Sequence, residues 1–243
     1  MAPDDAPSHA LITHRAFWAP KRGQAEADYE DAYGLSASGM LPCRAAVADG
    51  ATESAFARRW ARTLVSGFVD DAATDPEAFR AKLPGWQAVW IETVEQRTRS
   101  LPWYAEQKAE EGAFATLLGL EIQPEGQWQA LAVGDCCLFQ LREDAVIAQW
   151  PIDSPDDFTN RPRLVPSRSG YTGPDPLVQS GTWTAHDRFV LATDATAAWL
   201  MRAGVADVLR TDAEAFRDRV RAARADGILR NDDVTLLELR ILA

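Results

Sequence analysis

A short apolar run that ends in an aspartate and a glycine is the strongest constraint on how this chain folds. The run Ala45–Ala48 consists of small and branched residues, which is typical of a buried strand, and Asp49-Gly50 follows it directly. Glycine at this point allows a tight turn that a residue with a Cβ would resist. The next segment, Ala51–Val69, carries large apolar residues at every fourth position and predicts an amphipathic helix. We therefore expect strand, turn and helix, with the Asp49 carboxylate at the open end of the strand.

The same arrangement occurs again later in the chain, and further carboxylates lie at strand borders. Arg188–Thr193 is an apolar strand that ends at Asp194 and leads into a helix, which Gly204 terminates. The carboxylate residues that border predicted strands are Glu30, Asp31, Asp49, Asp135, Asp194 and Asp232. Carboxylates at about 4 Å repel one another by roughly 4 kcal/mol per pair at an effective dielectric constant of about 20, so a cluster requires a cation. Oxygen ligands without histidine or cysteine favour Mg²⁺ or Mn²⁺.

The remaining patterns predict antiparallel strands and further helices. Two hairpins are predicted, with strands at residues 113–122 and 128–133 and at residues 137–141 and 145–150. Short connections of this kind imply antiparallel pairing. Before them, Asp75-Pro76 begins a helix that Pro84-Gly85 is expected to end, and Trp86 begins another. Residues 151–182 show no regular pattern, which predicts a long loop.

Composition and charge exclude several classes of protein. The chain has 243 residues, 47% of them hydrophobic and 25% charged, which suits a globular protein of one large domain or two small ones. Since no linker divides the sequence, we expect a single domain over residues 1–243. The formal net charge of -11 argues against nucleic acid as a partner. No apolar run approaches the roughly 20 residues of a membrane helix, and Met1–Ser8 does not resemble a signal peptide. The cysteines Cys43, Cys136 and Cys137 have no metal-ligand spacing and favour a reducing cytoplasm.

The order of these motifs resembles that of the type 2C, metal-dependent serine/threonine protein phosphatases, especially compact bacterial members. The resemblance covers nearly the whole chain. The segments that carry it are Glu30-Asp31, Ala48-Asp49-Gly50, Gly112–Thr116, Val133-Gly134-Asp135, Leu191–Ala195 and Asp232–Thr235. Each motif is weak alone, but together they occur in the order of the family. The fold that the resemblance implies is an α+β, four-layer α-β-β-α sandwich of two antiparallel sheets flanked by helices.

The resemblance also implies a metal centre and an activity. The residues that it assigns to metal are Glu30, Asp31, Asp49, Gly50, Asp135, Asp194 and Asp232. Asp49 would bridge two Mn²⁺ or Mg²⁺ ions, Asp194 and Asp232 would hold one of them, and Asp135 matches a ligand of a third, weaker ion. A hydroxide between the two metals would hydrolyse phosphoserine or phosphothreonine in a protein substrate. A cognate serine/threonine kinase would then be a further partner.

Three departures from the family pattern affect substrate binding more than the two-metal core. Ala51 stands where the family often has a histidine after the Asp-Gly motif, and Ala198 stands where an additional aspartate is sometimes present. Glu26 or Ala27 takes the place of a phosphate-binding arginine. This leaves Lys21 and Arg22 as candidates for binding the phosphate.

Two other interpretations remain open on sequence grounds. A catalytically weak or inactive relative would keep the sandwich as a regulatory module that binds a phosphopeptide or a partner protein. Alternatively, the chain is an α+β binding domain whose strand-end aspartates are ordinary turn residues. The retained Asp49, Asp194 and Asp232 favour the enzyme, whereas the missing arginine favours the inactive relative.

Overall fold

The structure is a computed structural model, and it describes residues 10–37, 39–51, 56–98, 110–159, 161–168 and 173–242. The strands are β1 (Leu11–Ala19), β2 (Ala32–Leu35), β3 (Cys43–Ala48), β4 (Phe114–Ala115), β5 (Leu117–Ile122), β6 (Gln127–Val133), β7 (Cys137–Arg142), β8 (Ala145–Trp150), β9 (Val165–Pro166), β10 (Leu177–Thr182), β11 (Arg188–Ala192) and β12 (Val234–Leu242). The helices are α1 (Ala57–Asp71), α2 (Pro76–Thr98), α3 (Asp194–Ala203), α4 (Val205–Leu209) and α5 (Ala213–Ala225), and a short 3-10 turn covers Glu26–Asp28.

Most of the strands belong to two antiparallel sheets. The order in the first sheet is β1-β12-β11-β7-β8, and the order in the second sheet is β10-β6-β5-β3-β2. All neighbours within each sheet run antiparallel, as the short connections in the sequence predict. The short strands β4 and β9 pair separately with each other.

Successive side chains of β3 point to opposite faces of the second sheet and pack in two different cores. Cys43, Ala45 and Val47 contribute to the core between the two sheets, whereas Ala46 and Ala48 contribute to the core beneath α1 and α2. Both faces of β3 are therefore buried, which is why the run is apolar throughout instead of alternating with polar residues.

Helices cover the outer face of each sheet. Trp60 of α1 and Trp90 of α2 pack in the core on the second sheet. Trp199 of α3 and Phe216 of α5 pack in the core on the first sheet. The resulting order of layers is helix, sheet, sheet, helix, so the predicted four-layer α-β-β-α sandwich is confirmed.

The predicted helix break at Pro84-Gly85 is wrong, because α2 runs without interruption from Pro76 to Thr98. A proline inside a helix costs about 3 kcal/mol. Large apolar side chains on both sides of the proline, Phe79 before it and Trp86 and Trp90 after it, are buried against α1 and offset that cost.

Among the described helices, none has the length and the apolar character that a membrane span needs.

The prediction of a long loop between Pro151 and Thr182 is wrong in part. The segment contains β9 and the six-residue strand β10, which pairs with β6 at the edge of the second sheet. Side chains of β10 are mostly exposed on both faces, with Leu177 47% and Val178 45% exposed. An edge strand of this kind lacks the alternation of buried and exposed residues that identifies strands in a sequence.

Candidate metal centre

Strand register brings the predicted metal ligands to one end of the sandwich. In the second sheet the end of β3 pairs with the start of β2, so Asp49 and Asp31 lie side by side just beyond the strands. In the first sheet the end of β11 lies next to the starts of β12 and β7, and Asp194, Asp232 and Asp135 adjoin these ends. The charges of Asp194 and Asp232 act on Asp49. Both sheets therefore present their carboxylates at the same end.

Asp31 and Asp49 form a pair of neighbouring carboxyl groups, of which Asp31 is buried and Asp49 is partly exposed. Asp31 is 1% exposed, and its Oδ2 accepts hydrogen bonds from Thr235 Oγ1 at 2.5 Å and from Thr193 Oγ1 at 2.9 Å. Its carboxyl group also makes a hydrogen bond with that of Asp49. Burial raises the pKa of Asp31 to about 8, while burial and the charges of Asp31 and Asp194 raise the pKa of Asp49 well above its usual range. Two carboxyl groups in this position share a proton unless a cation joins them.

The guanidinium group of Arg230 joins Asp194 to Asp232. Arg230 Nη2 donates to Asp194 Oδ2 and, at 2.8 Å, to Asp232 Oδ2. The other oxygens also have donors, since the Ala195 N–H donates to Asp194 Oδ1 at 2.5 Å and Lys21 Nζ lies 3.1 Å from Asp232 Oδ1. Burial raises the pKa of Asp194, and the Arg230 charge opposes that rise. Cations of the protein itself therefore compensate these two carboxylates.

Asp135 provides a test of whether this end suits a metal ion. The residue is 5% exposed, and neither Oδ1 nor Oδ2 has a hydrogen-bond partner among the residues that the structure describes. Burial, followed by the charge of Asp194, raises the pKa of Asp135 to about 7. A buried carboxylate without a partner is costly, and a hard divalent cation would compensate it. Oxygen donors without histidine or cysteine therefore fit Mn²⁺ or Mg²⁺ at this end.

The carboxylates do not yet form a ligand cage. Within the described part of the chain, no group of three or more His, Cys, Asp or Glu side chains is arranged to hold a metal ion. The contacts of Arg230 and Lys21 account for this, because they engage oxygens of Asp194 and Asp232 that an ion would need. Ion binding therefore requires these side chains to move.

Glu30 and Gly50 lie against each other beside the acidic pair. A Cβ at Gly50 would come within 2.9 Å of the Glu30 carbonyl oxygen and 3.0 Å of the Ala57 backbone, so this close approach requires glycine. The Glu30 carboxylate lies 3.8 Å from Lys21 Nζ, which in turn contacts Asp232. The fold thus places the residues that the resemblance assigns to metal at the same end of the sandwich, without arranging them as a ligand cage among the described residues.

The predicted phosphate-binding residues Lys21 and Arg22 lie in different surroundings. Lys21 is inside the cluster, where burial lowers its pKa but the charge and hydrogen bond of Asp232 outweigh that effect and raise it. Arg22 has an exposed side chain whose charge acts on Arg224, and its backbone N–H donates to Asn231 Oδ1 at 2.8 Å. Of the two, Lys21 has the position from which a ligand of the acidic cluster can be contacted.

Sequence reasoning overlooked the roles of Asp233 and Arg230. Asp233 is 3% exposed and accepts the backbone N–H groups of Lys21 at 2.9 Å and Glu30 at 2.7 Å, so it ties both loops to the start of β12. The doubled aspartate at this position was an available signal. Arg230 gave no signal, because an arginine in a turn is usually a solvated surface residue.

A family comparison identifies the chain. The family described as Protein phosphatase 2C matches residues 21–232, which is most of the chain, and the protein therefore belongs to that family of protein phosphatases. Among curated proteins, none matches this chain.

Solved structures share the fold at low sequence identity. The catalytic domain of serine threonine protein phosphatase PstP, in complex with two manganese ions, is 17% identical with a TM-score of 0.62, and the match covers 96% of this chain and 100% of that one. PppA of Pseudomonas aeruginosa is 20% identical with a TM-score of 0.60, covering 96% and 99%. RsbX in complex with magnesium is 16% identical with a TM-score of 0.51, covering 95% and 96%. At these identities the likeness establishes the fold.

Proposed function

We propose that this protein is a metal-dependent phosphatase that hydrolyses phosphoserine or phosphothreonine in protein substrates. The observation that carries the proposal is the convergence of Asp31, Asp49, Asp135, Asp194 and Asp232 at one end of a type 2C sandwich. Family membership supports protein phosphatase activity. The manganese ions of PstP and the magnesium of RsbX support a divalent cofactor.

The residues of this chain have distinct tasks in the proposal. Asp49 lies between the two halves of the site, since it contacts Asp31 and also experiences the charges of Asp194 and Asp232. It would therefore bridge two ions, with Asp194 and Asp232 on one side and the Glu30, Asp31 and Gly50 oxygens on the other. Asp135 would serve a third, weaker ion. Bound divalent ions lower the pKa of water and neutralise charge on a phosphoryl group.

Other residues hold these ligands in position. Thr193 and Thr235 orient the Asp31 carboxyl group, and Asp233 fixes the backbone at Glu30. Lys21, already at the cluster, is our candidate for contact with the phosphate. A point charge of this kind binds phosphate without the bidentate geometry of an arginine.

The proposal also concerns partners and location. A phosphatase of this kind acts on a phosphorylated protein, and a serine/threonine kinase that phosphorylates the same protein would be its natural counterpart. Cys43, Cys136 and Cys137 are all unpaired and buried, which supports a reducing compartment such as the cytoplasm.

Hydrolysis of a phosphothreonine peptide and of p-nitrophenyl phosphate tests the proposed function. We expect activity with Mn²⁺, loss of that activity in excess EDTA, and recovery when Mn²⁺ is restored. Undiminished hydrolysis in the chelator would contradict the metal requirement. Tight binding of the peptide without hydrolysis at any Mn²⁺ concentration would instead point to a non-catalytic relative.

Arg230→Ala is expected to tighten Mn²⁺ binding about tenfold. In the wild type the guanidinium group must leave the Oδ2 atoms of Asp194 and Asp232 before an ion can use them, and charge-assisted hydrogen bonds of this kind contribute roughly 1.5–3 kcal/mol before solvent screening. Isothermal titration calorimetry with Mn²⁺ measures the change directly, independently of activity. Arg230→Lys is expected to be intermediate, because a lysine keeps the charge but cannot span both carboxylates.

Arg221→Ala is the matched control for Arg230→Ala. It removes one positive charge from α5, where Arg221 pairs with the exposed Asp218 away from the acidic cluster, so we expect unchanged Mn²⁺ affinity. An equal or weaker affinity in Arg230→Ala than in the wild type would show that Arg230 does not compete with the metal.

A further inference from the structure

A groove with a volume of about 830 Å³ lies between α1 and α2, and we call it the α1–α2 groove. Arg58, Arg59 and Arg62 line it on α1, and Trp86 and Val89 line it on α2. Asp70 and Asp71 lie at the C-terminal end of α1, so the groove is basic at one end and acidic at the other. None of the tasks proposed above for the metal centre uses this groove.

The basic end of the groove adjoins the metal centre. α1 begins at Ala57, whose backbone lies against Gly50, next to the candidate bridging ligand Asp49. One residue further, Arg58 Nη1 donates to the carbonyl oxygen of Ala27 at 2.6 Å, in the loop that leads to Glu30. A peptide held at the metal centre can therefore continue directly into the groove.

Arg58 and Arg62 are neighbours on α1, and neither has an ion pair with a carboxylate among the described residues. In the described part of the chain, the arginines that pair with a carboxylate are Arg15, Arg44, Arg80, Arg142, Arg188, Arg202, Arg210, Arg221, Arg230 and Arg240. Arg58 instead donates to two backbone carbonyl groups and keeps a buried Nε without a partner. Arg62 is exposed, and burial and the neighbouring Arg58 charge lower its pKa.

Two neighbouring cations that have no carboxylate partner within the described residues create a local positive potential at the basic end. In a chain with a net charge of -11, such a potential favours an anionic ligand over a cationic or neutral one. A guanidinium group pairs with a carboxylate in bidentate geometry, which gives both affinity and orientation.

We propose that the α1–α2 groove binds an acidic segment of the protein substrate, adjacent to the phosphorylated residue, with Arg58 and Arg62 pairing with its Asp or Glu side chains. The inference rests on the proposed function, since the segment belongs to the phosphoprotein. From Arg58 to Ser66 the helix rises about 12 Å, which an extended peptide spans with about four residues. Repulsion by Asp70 disfavours acidic residues beyond that point, whereas the charge of Asp71 is largely offset by its ion pair with Lys82.

Peptides that differ only in the residues beside the phosphothreonine test the proposal. One set carries four Glu residues on the N-terminal or the C-terminal side, and a matched set carries four Gln residues. With Mn²⁺ we expect the wild type to prefer one of the acidic peptides about tenfold in kcat/KM, chiefly through KM. Arg62→Ala is expected to abolish most of this preference, and Arg62→Glu is expected to favour the Gln peptide. Hydrolysis of p-nitrophenyl phosphate, which has no flanking residues, is expected to stay within about twofold.

Arg62 is the preferred position for substitution because its exposed side chain has no ion pair within the described residues. Arg221→Ala, which removes one exposed positive charge from α5, is the matched control and is expected to retain the preference. Fluorescence anisotropy of the labelled peptides in EDTA gives a second readout that does not depend on catalysis. There, too, Arg62→Ala is expected to weaken binding of the acidic peptide and not of the Gln peptide.

The possible failures are distinguishable. Absence of p-nitrophenyl phosphate hydrolysis would overturn the proposed function. The anisotropy comparison would then decide on its own whether the α1–α2 groove binds an acidic peptide. Equal use of acidic and Gln peptides by an active wild-type enzyme would overturn the groove proposal alone. So would a preference that survives in both Arg62 variants, or a preference for a flanking phosphoserine without any preference for Glu.

Discussion

Asp49→Asn is expected to reduce Mn²⁺-dependent kcat/KM by more than about a hundredfold, since residues that only orient metal ligands already cost about 10–100-fold when replaced. Asparagine keeps the shape of the side chain but loses the charge that balances the ions. The Asp31, Asp194 and Asp232 charges all act on Asp49, which is why we propose it as the bridging ligand that no neighbour can replace. Steady-state kinetics on p-nitrophenyl phosphate and calorimetric Mn²⁺ titration measure the two losses.

The same variant has a second expected effect, in the opposite direction. In chelator, Asp49→Asn relieves repulsion among buried carboxylates, so the free energy of unfolding is expected to rise relative to the wild type. Asp187→Asn is the control, because Asp187 is a buried carboxylate that pairs with Arg142 away from the cluster. It is expected to lose stability and retain Mn²⁺ binding. If the Asp49→Asn protein bound Mn²⁺ with wild-type affinity, Asp49 would not be a metal ligand.

The sequence predicted those parts of the fold in which a local pattern matches burial. β3, β11 and β12 are apolar because both of their faces are covered, and α1 shows a four-residue period because one face packs on the second sheet. α2 and β10 lacked such patterns. α2 continues through Pro84 because of tertiary packing, and β10 is held by backbone pairing to β6 with little side-chain burial.

Prediction of the site shows a similar limit. Asp49, Asp194 and Asp232 could be selected because each borders an apolar strand, and the order of motifs then suggested that they meet. Their counterions could not be predicted in this way. Arg230 pairs with Asp194, which lies 36 residues earlier in the sequence. The contact of Arg58 with the Ala27 carbonyl oxygen, which spans 31 residues, is equally hidden in the sequence although it is not an ion pair. Such contacts depend on how separate loops are arranged at one end of the sheets, which residue spacing does not record.

Trp60→Ala is expected to lower the free energy of unfolding by about 3–5 kcal/mol, the usual cost of deleting a large buried aromatic side chain. Trp60 is 0% exposed, packs edge to face on Trp90 at a centroid distance of 6.4 Å, and donates from Nε1 to the Val165 carbonyl oxygen at 2.8 Å. The substitution leaves a cavity between α1 and the second sheet and removes the donor to that carbonyl group. Urea unfolding followed by circular dichroism measures the loss.

Two controls separate the packing of Trp60 from its hydrogen bond. Trp60→Phe keeps an aromatic ring but loses the N–H donor, so it is expected to cost roughly the 1–3 kcal/mol of an unsatisfied buried group, which is less than the cost of Trp60→Ala. Val89→Ala, at a position of α2 that is 56% exposed, is expected to change stability by less than about 0.5 kcal/mol. If Trp60→Ala lowered the free energy of unfolding by less than about 1 kcal/mol, α1 would not be part of the cooperative core. Because α1 begins beside the candidate metal centre and also lines the α1–α2 groove, these two sites would then not share one rigid support.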